Sequence, residues 1–421
     1  MSVRLPRTSP LPAVGVPDAL ARQFRLLECT ARHFEGPQLF AADAGVVPGL
    51  GRPRTTARVE AVLADFFGAE AAALVQGAGT GAIRAALGAV LEAGDPLLIH
   101  RAPVYRTTAH TLRGLGAATV EADFNDPREP ARALASGDFR WAYVQHTRQR
   151  LADSYDLGAV LAACRAAGVR TVVDDNYAAL RVPACGVELG ADASCFSLFK
   201  LHGPEGVGVV VGAADLVARV HEDNYSGGGQ VQGHQALDAL RALTHVPVMW
   251  AVQSQVAAEV AGRLAAGEVP GVAEAALANA QDRCVLVRLA RPVARGLPAA
   301  AARHGAAPYP VGANSRYEIA PLFYRLSGSA LADAPELADW TVRINPMRAG
   351  ADLVLDILRR ALAEPRDGAE PRDRAQRRDG AQRRDVDGGL SLGPSRPAPE
   401  GRATPGAPGT PGPAVAPEPK D

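Results

Sequence analysis

Lysine is nearly absent from this chain, and its placement suggests chemistry. The 421 residues include 45 basic side chains, of which only Lys200 and Lys420 are lysines. Lys420 lies in a Pro/Gly-rich tail, whereas Lys200 ends the apolar run CFSLFK. A primary amine can lose its proton and form a Schiff base with an aldehyde, which a guanidinium cannot do. This pattern favours a catalytic amine at Lys200, and the alternative is a lysine kept by chance on a loop.

Two segments favour phosphate binding near that amine. In LVQGAGTGAIRAAL, Gly79 and Thr80 lie between an apolar run and a helical pattern, where backbone N–H groups and a hydroxyl can bind a phosphate. A plain glycine-rich turn explains this segment about as well, because the spacing matches no standard nucleotide-binding motif. Ser197 precedes Lys200 by three residues, so we expect a hydroxyl and an amine in one pocket.

A further segment, VRTVVDDNYAAL, ends an apolar run in Asp174 and Asp175. A carboxylate at the end of a buried strand needs a cation or a strong donor, and a protonated pyridine nitrogen is one. Taken alone, the segment also suits a magnesium site or an aspartate that caps the next turn.

These segments belong to an alternation of short apolar runs and helical stretches. The runs are AAALV, PLLIH, WAYVQ, VRTVVDD, ADASCFSLF and GVGVVVG. The pattern predicts an α/β fold, with a mostly parallel central sheet flanked by helices in a large domain, and ligands at the carboxyl ends of the strands. A smaller α+β domain is predicted to follow, with SQVAAEVAGRLAAG and AEAALANAQDR as helices, CVLVRLARP and TVRINP as strands, and a last helix.

We therefore predict four regions. Residues 1–48 contribute to the small domain, 49–250 form the large ligand-binding domain, and 251–363 form the rest of the small domain. Residues 364–421 are predicted to be a disordered tail, because an Arg/Asp-rich repeat and a Pro/Gly/Ala run offer few apolar side chains.

Composition excludes several classes of protein. Lys+Arg and Asp+Glu both number 45, so no basic surplus favours nucleic acid. No apolar run approaches the roughly 18 residues of a membrane span, and the amino terminus lacks the apolar stretch of a secretory signal. Five scattered cysteines without a CxxC pair predict neither a disulfide scaffold nor a metal site, and fit the cytoplasm.

Taken together, the glycine/threonine turn, the aspartate and the Ser-x-x-Lys resemble the fold-type I pyridoxal-phosphate (PLP) enzymes over about residues 20–363. KLHGPEGVG and SGGGQ are similar to the class V aminotransferases and cysteine desulfurases. PVYRTT, VVDDNY and GLGRPRTT are similar to the cystathionine and methionine γ-lyases and their aluminium-resistance relatives. The resemblance is greatest to poorly characterised bacterial enzymes of this type, over the segments SCFSLFKLHGPEGVGVVVG, YPVGANSRYEIAPLFYRLSG and TVRINPMRAG.

The resemblance implies a role for each residue. Lys200 would be the catalytic residue and would hold PLP as a Schiff base. The other cofactor-binding residues would be Gly79, Thr80 and Ser197 at the phosphate, Tyr105 stacked on the ring, Asp174 (or Asp175) at the pyridine nitrogen and Tyr177 at the phenolic oxygen. Arg343 would bind the substrate carboxylate, with Arg348 as a competitor. Gln145, His146, Thr147 and Arg148 occupy the place of a ring-oxygen contact.

The implied function is a lyase or transferase reaction on a small amino acid. It would proceed through an external aldimine and a quinonoid to β- or γ-elimination or replacement, with Lys200 as general base. An aminotransferase is the alternative, and a non-catalytic PLP-fold protein is a third possibility. Desulfuration is disfavoured because Phe199 precedes Lys200 and no catalytic cysteine loop is evident. A homodimer with shared active sites is also implied, in which Arg52, Arg54, Gly229 and Gln230 reach the partner's phosphate.

Overall fold

Two sheets organise the part of the chain that the structure describes. The computed structural model describes residues 3–225, 229–280, 282–308 and 315–364. The strands are β1 (Ala71–Gln76), β2 (Pro96–His100), β3 (Ala118–Ala122), β4 (Trp141–Gln145), β5 (Arg170–Asp174), β6 (Ala193–Ser197), β7 (Val207–Gly212), β8 (Val272–Ala280), β9 (Asp282–Leu289), β10 (Leu322–Tyr324) and β11 (Thr341–Asn345). The helices are α1 (Val16–His33), α2 (Arg54–Phe67), α3 (Ala78–Gly88), α4 (Arg106–Gly114), α5 (Glu129–Ser136), α6 (Leu157–Ala166), α7 (Ala214–Asp223), α8 (Gly233–Leu243), α9 (Val246–Ala265), α10 (Leu297–Arg303), α11 (Gly328–Asp333) and α12 (Ala351–Ala363).

The larger sheet confirms the predicted mostly parallel architecture. Its strand order is β1-β7-β6-β5-β4-β2-β3, and only β7 runs antiparallel to its neighbours. PLLIH and WAYVQ coincide with β2 and β4, as predicted. In the ladder, Gln145 pairs with Asp174 and Asp174 with Cys195, so the carboxyl ends of β4, β5 and β6 meet at one edge.

Apart from the exposed edge strand β3, both faces of this sheet are buried, which explains the continuous apolar runs. In β7, Val207, Val209 and Val211 pack into a cluster with α1, α2, α8 and α9. Val210, between them, packs on the opposite face with residues of α3 and α7. The strand alternation thus gives each successive valine a different helix layer to contact.

The second sheet is antiparallel in the order β10-β11-β9-β8. Apolar residues of α9, α10 and α12 pack with it in a separate cluster, which gives the smaller α+β layer that was predicted. The predicted boundary at residue 250/251 lies within α9, and the division into domains stays a prediction. The predicted tail lies outside the described residues, apart from Glu364.

The segment AEAALANAQDR is not the predicted helix. Its residues up to Ala280 belong to β8, which pairs antiparallel with β9 in the register Ala276↔Leu286 and Ala278↔Cys284. Alanine has high helix propensity, but here the pairing with a strongly apolar strand outweighs it. The prediction was wrong because local composition carried no information about that partner strand.

The amino-terminal segment covers the free edge of β8. The hydroxyl of Thr8 donates to Leu277 O at 2.8 Å, and the Leu11 N–H donates to Asn279 Oδ1 at 2.6 Å. Val14 N–H then donates to Arg181 O at 3.0 Å, next to the large sheet. This segment therefore contacts both sheets before α1 begins.

The five cysteines are all buried and form no disulfide. Burial raises the pKa of Cys185 and Cys195 and brings that of Cys164 to about 11, so these thiols stay protonated. Cys195 is fully enclosed within β6, as expected for a small core residue. None of the described helices has the length and apolar character needed to cross a membrane.

Candidate active site

Lys200 lies on a short turn that reverses the chain between β6 and β7. A single 3₁₀ turn, Phe199–Leu201, carries it. The backbone N–H groups of Leu201 and Gly203 both donate to Leu198 O at 2.8 Å. Two hydrogen bonds on one carbonyl close the turn tightly, so the Lys200 main chain is fixed at the carboxyl edge of the sheet.

The Lys200 side chain lines a cavity of about 240 Å³. Residues from the ends of β1, β5 and β6 and from the loop before α4 meet there. The structure brings together all seven residues predicted for catalysis and cofactor binding: Gly79, Thr80, Tyr105, Asp174, Tyr177, Ser197 and Lys200. Their individual roles toward a cofactor stay predictions.

One end of the cavity is suited to an anion. Gly77 caps α3 in the left-handed conformation, with φ 96°, and the first N–H groups of a helix lack intrahelical acceptors. The Ser197 hydroxyl is buried and has no hydrogen-bond partner among the described residues. Such an orphaned group costs about 1–3 kcal/mol, which a bound ligand can recover. Thr80 Oγ1 lies beside this end, 3.0 Å from Thr107 Oγ1.

Gly79 is required by the close approach of Asn176. A Cβ at position 79 would lie 2.2 Å from Asn176 Oδ1. That side chain is anchored on both sides, because Oδ1 accepts from Ser197 N–H at 3.1 Å and Nδ2 donates to Asp174 Oδ1 at 2.7 Å. One packed unit is thus formed by Gly79, Asn176, Ser197 and Asp174.

Asp174 and Asp175 have different surroundings. Asp174 lines the cavity, and its Oδ2 accepts from Tyr143 OH at 3.0 Å while Oδ1 binds Asn176. Asp175 is fully buried and lies 2.6 Å from His146 Nδ1. Burial raises the pKa of Asp174, and the hydrogen bonds from Asn176 oppose that rise. Of the two carboxylates, only Asp174 is positioned to meet a ligand in the cavity.

Aromatic rings surround the Lys200 amine. Its Nζ lies 4.1 Å from the Tyr177 ring centroid and 6.0 Å from that of Tyr105. Loss of hydration lowers the pKa of Lys200, an effect that Asp174 opposes and Arg181 reinforces. Tyr177 has a φ of 64°, a strained value for a bulky residue, and burial raises its pKa to about 12. The amine is thus biased toward its neutral, nucleophilic form.

Arg343, the predicted carboxylate-binding residue, is not among the residues that line this cavity. Its guanidinium carbon lies 4.1 Å from the Tyr324 ring centroid, and its charge acts on Tyr177. The competitor Arg348 donates to His202 Nε2 at 2.5 Å, within the turn that follows Lys200. The assignment of substrate-carboxylate binding to Arg343, with Arg348 as the competitor, stays a prediction.

Further polar residues line the cavity that were not singled out, or were named only within a stretch. They are Thr107, Gln145, Thr147, Gln149 and Asn176. The side chains of Gln145 and Gln149 are both buried. Gln145 ends β4 and pairs with Asp174, so its place at the carboxyl edge of the sheet could have been predicted from the strand pattern. Gln149 follows in an irregular loop that gave no such signal.

Two arginines predicted to reach a partner subunit have different positions. Arg52 binds within its own chain, with Nε 2.5 Å from Glu60 Oε2. Arg54 is exposed at the start of α2. Gln230 is buried and forms an isolated bridge with Val75 at the end of β1. A role of Arg52, Arg54, Gly229 or Gln230 across a dimer interface stays a prediction.

Comparison with known protein families agrees with this geometry. The sequence profile of the Cys/Met metabolism PLP-dependent enzymes matches residues 50–289, which is more than half of the chain. The chain belongs to this family. The profile of the YhfS-like C-terminal domain matches residues 258–358. Membership makes the protein a PLP-dependent enzyme and confirms the fold, the cofactor and the resemblance inferred from the motifs.

Individual relatives differ in how much of their length this chain matches. The uncharacterized protein YhfS of Escherichia coli (strain K12) is 49% identical over 358 residues, or 85% of this chain and 99% of that protein. A crystal structure described as PLP-dependent YhfS from Escherichia coli superposes with a TM-score of 0.84, again at 49% identity, 85% and 99% coverage. L-methionine gamma-lyase of Porphyromonas gingivalis is 31% identical over 203 residues, or 47% of this chain and 49% of that enzyme.

A more distant structure extends the agreement in fold alone. The methionine gamma lyase CalE6 from Micromonospora echinospora superposes with a TM-score of 0.63 at 19% identity, covering 81% of this chain and 98% of that one.

The residues present fit PLP. The orphaned Ser197 hydroxyl and the start of α3 suit its phosphate, and the Asp174 carboxylate suits its ring nitrogen. The Lys200 amine lines the same cavity and suits its aldehyde. Anion site, carboxylate and amine are therefore all present where one bound molecule can meet them.

Proposed function

We propose that this enzyme catalyses β- or γ-elimination or replacement on a small amino acid. The observation that carries the proposal is the Lys200 amine, biased toward its neutral form, in one cavity with Asp174 and an anion-binding helix start. The likeness to L-methionine gamma-lyase supports an elimination or replacement reaction, because that enzyme's name describes a γ-elimination.

Each cavity residue has a proposed task toward the cofactor. PLP, when bound, supplies an electron sink for charge that develops on the substrate's α-carbon. Ser197, Gly79 and Thr80 would hold its phosphate, and Tyr105 would cover one face of its ring. Asp174 would keep a positive charge at the ring nitrogen, since a carboxylate held out of water pairs strongly with a nearby cation.

Lys200 would move the proton. A general base works best when its pKa lies near the working pH, and burial brings the Lys200 amine toward that range from above. Its tight 3₁₀ turn keeps the main chain still while the four-carbon side chain can swing. Tyr177, whose pKa is raised to about 12, keeps its phenolic proton and would donate it as a hydrogen bond.

The substrate carboxylate is proposed to bind Arg343. A guanidinium binds a carboxylate through two parallel hydrogen bonds, and stacking against Tyr324 restrains the orientation of this one. We further propose a homodimer with shared active sites. A cytoplasmic location stays a prediction.

The test combines covalent mapping with product analysis. Borohydride reduction of the cofactor-replete enzyme, followed by peptide mapping, is expected to modify Lys200 and leave Lys420 untouched. With a panel of amino acids, release of ammonia and a keto acid indicates elimination, and a new amino acid formed with an added thiol indicates replacement. Lys200→Ala serves as the control and is expected to lose both signals.

Two outcomes would contradict the proposal at different levels. A pyridoxamine form and a keto acid without ammonia would indicate an aminotransferase on the same scaffold. An unmodified Lys200 in cofactor-replete protein would remove its assigned role.

A further inference from the structure

A second cation contacts the main chain of Lys200. The Arg181 guanidinium is buried, and its Nη2 donates to the main-chain carbonyl of Lys200 at 3.1 Å. Its Cζ lies 5.2 Å from the Tyr177 ring centroid, and Lys200 Nζ lies 4.1 Å from the same centroid. One aromatic ring is thus in contact range of both cations.

Arg181 is held firmly in this position. Its Cζ lies 3.5 Å from the Trp250 ring centroid, and Nη1 forms an ion pair with Asp282 of β9. Its own main-chain carbonyl accepts from Val14 N–H at 3.0 Å. Burial lowers the pKa of Arg181, and the Asp282 carboxylate opposes that shift. A guanidinium stays charged in proteins, so Arg181 remains a cation.

The ion pair continues through a ring of side chains that returns to the Lys200 turn. Asp282 Oδ2 accepts from Asn345 Nδ2 at 2.8 Å, and Asn345 Oδ1 accepts from Gln253 Nε2 at 2.6 Å. Gln253 Oε1 accepts from Arg348 Nη1 at 2.9 Å. Arg348 then binds His202, two residues after Lys200. The turn is therefore tied at both sides to the second sheet.

His202 must be neutral for that last contact. Burial and the neighbouring arginines lower its pKa to about 3, so its Nε2 accepts from Arg348. His202 also has a φ of 61°, a left-handed value that the surrounding contacts maintain.

The charges that act on the Lys200 amine come from several elements. They are Asp174 at the end of β5, Tyr105 before α4, Arg181 after β5 and Asp282 in β9, besides the Tyr177 ring. Asp174, Tyr105 and Asp282 favour the protonated amine, whereas Arg181 disfavours it. Of these named groups, Arg181 is thus the one whose effect has the same sign as burial.

We propose that Arg181 is a positioning residue that holds the Lys200 turn through its main-chain carbonyl and, by its charge, disfavours protonation of the Lys200 amine. This inference rests on the proposed role of Lys200 as general base. It adds that the second sheet contributes to the chemistry by fixing Arg181 through Asp282.

The scarcity of lysine allows a direct test. In the full chain without cofactor, the rate of reductive methylation is measured against pH by peptide mass spectrometry, with Lys420 as internal reference. Arg181→Met is expected to raise the midpoint of Lys200 labelling by about one pH unit, because a like charge is removed. Asp282→Asn is expected to lower it, because the charge that balances Arg181 is removed.

The opposite signs separate electrostatics from loosening. A turn that merely loosens would gain water in both variants and move both midpoints up. Arg170→Met is the matched control, since Arg170 also stacks on a tryptophan, Trp141, and pairs with aspartates, at the other end of β5. Its Lys200 midpoint is expected to match the unsubstituted protein.

In the holoenzyme, the pH titration of the visible absorbance should shift in the same directions. An unchanged midpoint in Arg181→Met, or an upward shift in both Arg181→Met and Asp282→Asn, would overturn the inference. These readouts do not depend on which products form. A failure of the proposed reaction would therefore appear in the product assay alone and leave the titrations as expected.

Discussion

At the scale of single residues, two adjacent carboxylates with different surroundings are proposed to have separate tasks. Asp174 faces the cavity and shares its oxygens with Asn176 and Tyr143. Asp175, the residue after β5, is buried, and its Oδ1 lies 2.6 Å from His146 Nδ1. The same chemical group thus lines a ligand cavity at one position and is enclosed in the core at the next.

Exchange of each aspartate for asparagine should separate these tasks. Asp174→Asn is expected to lower kcat/KM on the order of 100-fold, because an amide cannot keep a positive charge at the ring nitrogen. Asp175→Asn is expected to lower the free energy of unfolding by roughly 2–3 kcal/mol, because it removes the charge from a buried hydrogen bond. Steady-state kinetics and thermal unfolding check both. Equal kinetic losses, or a larger stability loss in Asp174→Asn, would contradict this division.

Sequence analysis singled out residues whose type is suited to particular chemistry. Lys200, the one lysine ahead of the Pro/Gly-rich tail, and Asp174 at a strand end both line the cavity. Their roles toward a cofactor stay predictions. Arg181 could not be recognised in a chain with 43 arginines. The contacts that single it out, with Lys200 O and Asp282, depend on how the two sheets pack.

At the scale of elements, the start of α3 depends on the loop after β5. Gly79 contacts Asn176, which in turn orients Asp174 and Ser197 through its carboxamide. The end of the cavity that suits an anion and the Asp174 carboxylate are therefore connected through one side chain.

Gly79→Ala is expected to displace Asn176 and weaken cofactor affinity by roughly tenfold or more, as loss of a supporting contact does at other ligand sites. Gly88→Ala, in the same helix, is the control, because its Cβ would lie 3.8 Å from Leu115 Cδ2 and meet no obstacle. Alanine there should leave affinity unchanged and add up to about 1 kcal/mol of stability. Cofactor titration followed by absorbance checks both. A Gly79→Ala variant with normal affinity would show that Asn176 has room to move.

Element prediction succeeded for the large sheet and failed at β8. The strands of the large sheet alternate with helices and are bounded by turns, so their pattern is local. β8 is alanine-rich, and its strand conformation comes from β9 and from the amino-terminal segment along its edge. Neither neighbour is visible in the local sequence.

At the scale of the whole molecule, a buried acid makes stability depend on pH. Glu60 of α2 accepts from Leu74 N–H of β1 at 2.9 Å and binds Arg52. Burial outweighs the attraction of Arg52 and raises the pKa of Glu60 to about 7. The folded protein thus binds this proton more tightly than the unfolded chain does, so the stability it adds is full below about pH 4.5 and is lost as pH rises through 7.

Glu60→Gln, which cannot titrate, is expected to flatten this dependence. Between pH 5 and pH 8 the unfolding free energy of the unsubstituted protein should fall by roughly 2–3 kcal/mol relative to the variant. Denaturant unfolding at several pH values measures the difference. Glu121→Gln, at an exposed position, is the control. If the unfolding free energies of Glu60→Gln and of the unsubstituted protein changed in parallel with pH, the expectation would be wrong.

The large-scale organisation was only partly accessible. The large sheet between helices and the smaller α+β part followed from periodicity. Helix α9, however, runs through the predicted domain boundary, because a long helix can contribute to two cores at once. Subunit association depends on surfaces that no internal pattern identifies.

The burial of all five cysteines has a practical consequence. Since Cys29, Cys164, Cys185, Cys195 and Cys284 are all enclosed, oxidants and alkylating reagents should spare the native enzyme. Two of them, Cys195 and Cys284, belong to different sheets. The rates at which a maleimide dye labels Cys195 and Cys284 would therefore report separately on the opening of the two sheets.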